Sequence, residues 1–177
     1  LAKAIEDSKQ FELHSHLAAR SRSFAKLAKN DGPQVLFIIT KDDQIKSLAS
    51  KAVKKVGTNL KLIVHCAGSL APDILPEIKG VDRPTLHPIQ TIPEPNPEYL
   101  EGIAWMICSD SKEEKRFAKE FVSSLKSTDI LELKQSQLPL YHTITVFVSN
   151  FTTLLVGAIE VMSSSLAIDK KRLKSAL

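Results

Sequence analysis

The chain reads as an α/β fold with a doubly wound, mostly parallel sheet, followed by the start of an all-helical domain. Three observations predict it. Strand-like and helix-like segments alternate along most of the 177 residues with short connections, the pattern of a parallel sheet with crossover helices. Val35 to Ile39 and Leu60 to His65 are near-continuous apolar runs, as strands buried on both faces are. From about Gln135 the alternation stops and one long helical pattern takes over. This divides the chain into an α/β domain over 1–134 and the first part of a helical domain over 135–177.

The elements follow in order. Leu1, Ala2, Ala4 and Ile5 give an amphipathic helix with no capping residue before it, so the pattern begins in mid-helix. Phe11 to Ala19 reads as a strand, Ser21 to Asn30 as a helix, and Asp31-Gly32-Pro33 as a turn. Lys41 to Val56 is helical, with Ile45, Leu48, Ala49, Ala52 and Val56 on one side, and Asp42 or Asp43 is expected to cap it. After the Leu60 strand comes a short crossover interrupted by Pro72 and Pro76. A strand is expected over Val81 to Leu86, ending at His87-Pro88. Ile92 to Pro97 is a proline-rich loop, because proline lacks the donor a ladder needs. Ile103 to Cys108 is a strand, Ser111 to Leu125 a helix capped by Ser109 or Ser111, and Ile130 to Leu133 a strand. The long helix then carries Leu140, Ile144, Phe147, Phe151, Leu154, Leu155 and Met162 in a wide stripe, which predicts burial on more than one side. Ile168 to Leu177 starts another helix.

Composition narrows the function. The net charge is +4, but Lys170, Lys171, Arg172 and Lys174 stand against Asp169 alone, so the rest of the chain is nearly neutral. No basic stripe interleaved with aromatics points to a nucleic acid. No unbroken apolar run approaches the ~20 residues of a membrane helix, so no membrane partner is expected. His14 and His16 share a strand face without further ligands nearby, and no metal is expected. Cys66 and Cys108 make no disulfide framework, which predicts a reducing cytoplasm. Six glycines without a cluster leave no glycine-rich phosphate loop in the chain.

In an open parallel sheet, ligands bind beyond the carboxyl ends of the strands, so the residues that follow each strand carry the functional reading. After the first come Arg20, Ser21 and Arg22, with no acid to hold ribose hydroxyls. Arginine pairs phosphate through bidentate hydrogen bonds, so this end favours a 2′-phosphate and hence NADP over NAD. Thr40 follows the next strand, in the loop that passes near the pyrophosphate in dinucleotide folds. Gly68 and Ser69 lie in a small-residue turn suited to lie under a nicotinamide, with the Ser69 hydroxyl on offer. Cys66 is read as a buried thiol. His87 is held at a strand end by Pro88, and Gln90 follows it.

On the long helix, Tyr141, His142, Ser149 and Asn150 form a polar strip. At ~100° per residue, His142 and Ser149 fall on nearly one face, with Asn150 beside them. Such a strip on a buried helix faces either a partner group or a cavity. His87 or His142 is the candidate general acid toward a carbonyl or imine, with Asn150 beside the reaction and Gln90, Tyr141 and Ser149 lining the pocket.

The tracts Val64-His65-Cys66-Ala67-Gly68-Ser69-Leu70, Leu86-His87-Pro88-Ile89-Gln90-Thr91 and Tyr141-His142 through Val148-Ser149-Asn150-Phe151, in that order, resemble one family. It is a bacterial Rossmann-like family with a C-terminal helical domain, related to pyrroline-5-carboxylate reductase, deazaflavin-dependent NADP reductases and 3-hydroxyisobutyrate dehydrogenases. The resemblance covers nearly the whole chain. It implies an NAD(P)-binding domain, hydride transfer with a small substrate between the domains, and a homodimer formed by the C-terminal helices. Members open with a strand and a glycine-rich turn, which this chain lacks, and continue past the position of Leu177. The 3-hydroxyisobutyrate group uses a lysine and an asparagine one turn apart on this helix. No lysine stands between Tyr141 and Asn150, so that chemistry does not carry over. Two rivals remain at this point: a nucleotide-binding dimer of the same fold without turnover, and an α/β methyltransferase, which the arginine-serine strand end disfavours.

Overall fold

The computed structural model describes residues 1–13, 32–56 and 58–165. It divides into two compact units, Leu1–Leu138 and Pro139–Leu177. In the first unit the described strands are β1 (Val35–Ile38), β2 (Leu62–His65), β3 (Thr85–Pro88), β4 (Trp105–Cys108) and β5 (Ile130–Leu133), side by side in that order in one sheet. β1–β2, β2–β3 and β4–β5 are parallel, and β3–β4 is antiparallel. The antiparallel pair follows from the connection. A parallel return needs a crossover element, and Ile89 to Ala104 supplies only prolines and a 3-10 turn, Pro97–Leu100, capped by the Asn96 side chain.

Two strands differ from the sequence expectation. β3 starts at Thr85, not Val81. Pro84 has no N–H and interrupts the ladder, so Val81 and Asp82 make only isolated bridges before it. β1 is buried at Ile38 but half-buried at Val35, Leu36 and Phe37, where burial on both faces was expected. β2 and β4 are buried at every position, as expected of central strands.

Alternation along β2 makes the fold doubly wound. Leu62 and Val64 face a core built with α1 (Ala2–Ser8) and α3 (Lys112–Ser124): Ala4, Ile5, Trp105, Ile107, Ala118, Phe121 and Val122. Phe121 is its centre, with ring contacts to Phe11, Phe37, Trp105 and Phe117 at 4.9–6.2 Å. Ile63 faces the opposite core, with Ile38, Leu75 and the Ile45, Ala49, Ala52 face of α2 (Asp42–Ala52). Ser111 caps α3, accepting from the Glu114 N–H at 3.3 Å. Ser109, the other candidate cap, instead donates to the buried Glu114 carboxylate. The strand expected over Phe11 to Ala19 and the helix over Ser21 to Asn30 fall mostly outside the described residues.

The described part of the second unit, with Leu138 before it, is a continuous helical rod: α4 (Leu138–Val146), a π-helical turn (Phe147–Phe151) and α5 (Thr152–Ser165). Here two expectations change. Taken as a helix, Gln135–Ser165 is long and apolar enough to cross a membrane by length and composition, with a mean hydropathy of 1.7 in its most apolar window. A search for unbroken apolar runs misses this, because serines, threonines and His142 interrupt the run although no charged residue lies between Lys134 and Glu160. The wide stripe is also largely exposed, not buried: Leu140 is 67% exposed, Leu154 65% and Met162 60%.

Candidate functional site

β1, β2 and β3 run the same way, so the loops after them gather at one end of the sheet. Thr40 comes from the first loop, Asp42 from the start of α2 just after it, Cys66 to Ser69 from the second loop, and His87 from the end of β3 itself. Neither Asp42 nor Asp43 caps α2. The cap position is Lys41, without a side-chain bond, and Asp42 sits in the first turn. Its carboxylate accepts a 2.7 Å hydrogen bond from the Ser69 hydroxyl and so ties the first two loops together. The Thr40 hydroxyl donates to Gln44 Oε1 at 3.2 Å.

The second loop is fixed by a residue that the sequence reading left without a role. His65, the last residue of β2, is fully buried. Its Nδ1 accepts from the Ala67 N–H at 3.3 Å, so the ring proton is on Nε2. Nε2 lies 2.9 Å from Thr85 Oγ1 and 3.3 Å from the Ala71 carbonyl, and the Thr85 hydroxyl donates onward to the Leu70 carbonyl at 3.2 Å. Burial lowers the His65 pKa and keeps the ring neutral, which this arrangement requires. Strand register explains the pairing: Thr85 is the β3 residue opposite His65. Both signals were in the sequence, but adjacent-residue reasoning could not pair positions 20 apart.

Gly68 and His87 are brought together. The turn from Ala67 to Leu70 presents Gly68 to the His87 imidazole. A Cβ on Gly68 would lie 2.9 Å from both Cε1 and Nδ1 and 3.0 Å from Cγ, a distance that real side chains do not adopt. Only glycine therefore allows the ring this position. Two residues beyond the His65–Thr85 pair, β3 has run past the end of β2, and that overhang carries His87 over the turn. Desolvation pushes the Cys66 thiol up to about 12, and the residue is half-buried where a buried thiol was expected.

Gln90 turns its side-chain carbonyl back to the Thr91 N–H at 3.1 Å. Arg20, Ser21 and Arg22 lie outside the described residues. Tyr141 and His142 stand on α4, and Ser149 and Asn150 within the π turn. A π turn is wider than an α turn, so each of its residues advances less around the axis. That moves Asn150 toward the His142 face and Ser149 away from it, a change from the regular-helix expectation. Among the described residues no cluster of His, Cys, Asp and Glu could hold a metal ion. Pockets of about 210 and 220 Å³ lie elsewhere in the first unit, one lined by Arg83, Ser109 and Glu114, the other by Asp7, Leu100 and Lys126.

With this geometry established, the chain can be set beside known proteins. No protein-family model and no curated protein sequence matches it. Solved structures do. Protein TM1727 from Thermotoga maritima superposes with a TM-score of 0.64 at 24% identity, over 83% of this chain and 55% of that one. A protein from Bacteroides fragilis described as a candidate NADP oxidoreductase gives 0.69 at 19% identity, over 88% and 58%. A semialdehyde dehydrogenase NAD-binding protein from Cupriavidus necator, in complex with calcium and NAD, gives 0.58 at 15% identity, over 98% and 65%. The fold is Rossmann-like. At these identities the likeness carries the sheet and the helical unit that follows it, and the chain spans little more than half the length of most of these structures.

Proposed function

We propose that the chain belongs to an NADP-dependent oxidoreductase that transfers hydride to or from a small carbonyl or imine substrate. One observation carries the reading: the Gly68–His87 contact sits at the carboxyl ends of parallel strands in a Rossmann-like sheet, where such folds bind dinucleotides. The residues present fit the nicotinamide end of the cofactor. Gly68 brings no side chain to the turn, the His87 ring packs where its Cβ would stand, and Ser69 and Thr40 carry hydroxyls in the adjoining loops. The proposed cofactor would bring a hydride donor or acceptor. The chain's own residues would seat that ring on Gly68, orient it through Ser69, and hold a proton on His87 Nε2, the ring nitrogen farther from Gly68, for a substrate oxygen or nitrogen.

Arg20, Ser21 and Arg22 are assigned to the 2′-phosphate, and His142, Asn150, Tyr141, Ser149 and Gln90 to the substrate pocket. The kinship with pyrroline-5-carboxylate reductase and 3-hydroxyisobutyrate dehydrogenase-type enzymes is part of this proposal, supported by the three ordered sequence tracts. So is a homodimer formed through the C-terminal helices, supported by their exposed apolar stripe. A cytoplasmic location accords with two free cysteines.

Titration of the intact protein with NADPH and NADH, read by fluorescence, tests the core of the proposal. NADPH should bind the tighter of the two. Replacing Arg20 and Arg22 with Ala should weaken NADPH by about tenfold or more while changing NADH little, as expected for charge-assisted phosphate bonds. Equal weakening of both would remove the phosphate assignment. Binding of neither would end the oxidoreductase reading, and tight binding without turnover of any carbonyl or imine would make the protein a nucleotide-binding dimer.

A further inference from the structure

We propose that His65 and Thr85 are positioning residues. Their hydrogen-bond chain fixes the loop from Cys66 to Ala71 on the sheet and so sets the height at which Gly68 and Ser69 receive the nicotinamide ring. The inference rests on the oxidoreductase reading for its ligand, and on hydrogen bonds within the first unit for its geometry.

Three backbone groups of the loop are held: the Ala67 N–H by His65 Nδ1, the Ala71 carbonyl by His65 Nε2, and the Leu70 carbonyl by the Thr85 hydroxyl. The His65–Thr85 bond joins these contacts across neighbouring strands. The anchors bracket Gly68 and Ser69 on both sides. A strand end followed by a short polar turn would otherwise expose these backbone groups to competing water. Both side chains are fully buried, so water does not take the place of a lost His65–Thr85 bond. Both side chains are buried beneath the turn's backbone bonds, so their proposed effect on binding passes through the loop.

Thr85→Val keeps the shape of the side chain and removes the hydroxyl; Thr85→Ser keeps the hydroxyl. In the intact protein, Thr85→Val should speed amide hydrogen exchange across Cys66 to Ala71 and raise the NADPH dissociation constant about tenfold, the size of one lost buried hydrogen bond. Thr85→Ser should return both close to wild type. A role in folding alone would lower the folded fraction and leave the dissociation constant of the folded protein unchanged, which would overturn the proposal. Unchanged exchange in Thr85→Val would overturn it as well. His65→Gln, which keeps a donor toward Thr85 but loses the acceptor for Ala67, is the second variant should Thr85→Val fold poorly, with the same two readouts. If wild-type protein binds neither nucleotide, the function assignment has failed and the positioning role falls with it, while the exchange measurement still reports separately whether the pair pins the loop.

Discussion

Two residues in the site are constrained by their neighbours more than by their own chemistry. Gly68 leaves room for the His87 ring, and the constraint is steric, since a Cβ would meet three ring atoms within 3.0 Å. Gly68→Ala should therefore cost about 1–3 kcal/mol of stability, as overpacking does. In a His87→Ala background the same change should cost much less, giving a coupling of roughly 0.5–3 kcal/mol in a double-mutant cycle. Urea denaturation of the four proteins measures it, and additive costs would mean that the two residues do not constrain each other. His65 is constrained by burial, which lowers its pKa below the ordinary value of about 6.5. In the unfolded chain the imidazole binds a proton near that value; in the folded chain it does so only at lower pH. The unfolded state thus binds more protons in between, and stability falls as pH drops through that window. Above about 6.5 this contribution is complete and flat. Urea midpoints measured from pH 8 to 5 should decline on the acid side, and His65→Gln should flatten the decline. A decline of the same slope in that variant would place its source in another group.

At the scale of elements, periodicity located the strands because each is short, apolar and bounded by turn residues, and four of the five described strands start within two residues of where the sequence pattern starts them. β3 is the exception, and its displacement has a local cause in Pro84, whose missing N–H stops the ladder that Val81 and Asp82 begin. The sign of the β3–β4 pairing was not legible from pattern, since strand composition is the same in both senses; the helix-free connection decides it. The site was legible only in part, for a related reason. Reading the residue after each strand found Gly68, Ser69 and His87, because strand ends converge in a parallel sheet. It did not find His65, Thr85 or the Asp42–Ser69 bond, which depend on register between strands and on the closeness of two loops 27 residues apart. The π turn was also beyond periodicity. The pattern assumed a constant ~100° per residue, and a single wider turn across Phe147–Phe151 moves Asn150 and Ser149 around the helix.

At the scale of the molecule, the question is what covers the helical unit. Leu140, Phe147, Val148, Leu154, Leu155, Val161 and Met162 are exposed on one rod, a larger apolar surface than a soluble monomer ordinarily leaves in water. The hydropathy suffices for a bilayer, but the rod also carries His142, Ser149, Asn150 and Glu160, which a hydrocarbon environment penalises and a protein interface can pair. That difference favours a second copy of the chain as the partner. A charge at the centre of the stripe distinguishes the cases. Leu154, 65% exposed, has little to lose within its own chain, so Leu154→Glu should leave the melting of the first unit nearly unchanged. In a dimer two such carboxylates would be buried near the same surface without partners, a penalty of several kcal/mol that shifts the protein to monomer. Light scattering coupled to size-exclusion chromatography should give a dimer for the wild type and a monomer for Leu154→Glu. A wild-type monomer at micromolar concentration would sink the interface, and flotation of the wild type with phosphatidylcholine vesicles, abolished by the same substitution, would assign the stripe to lipid instead.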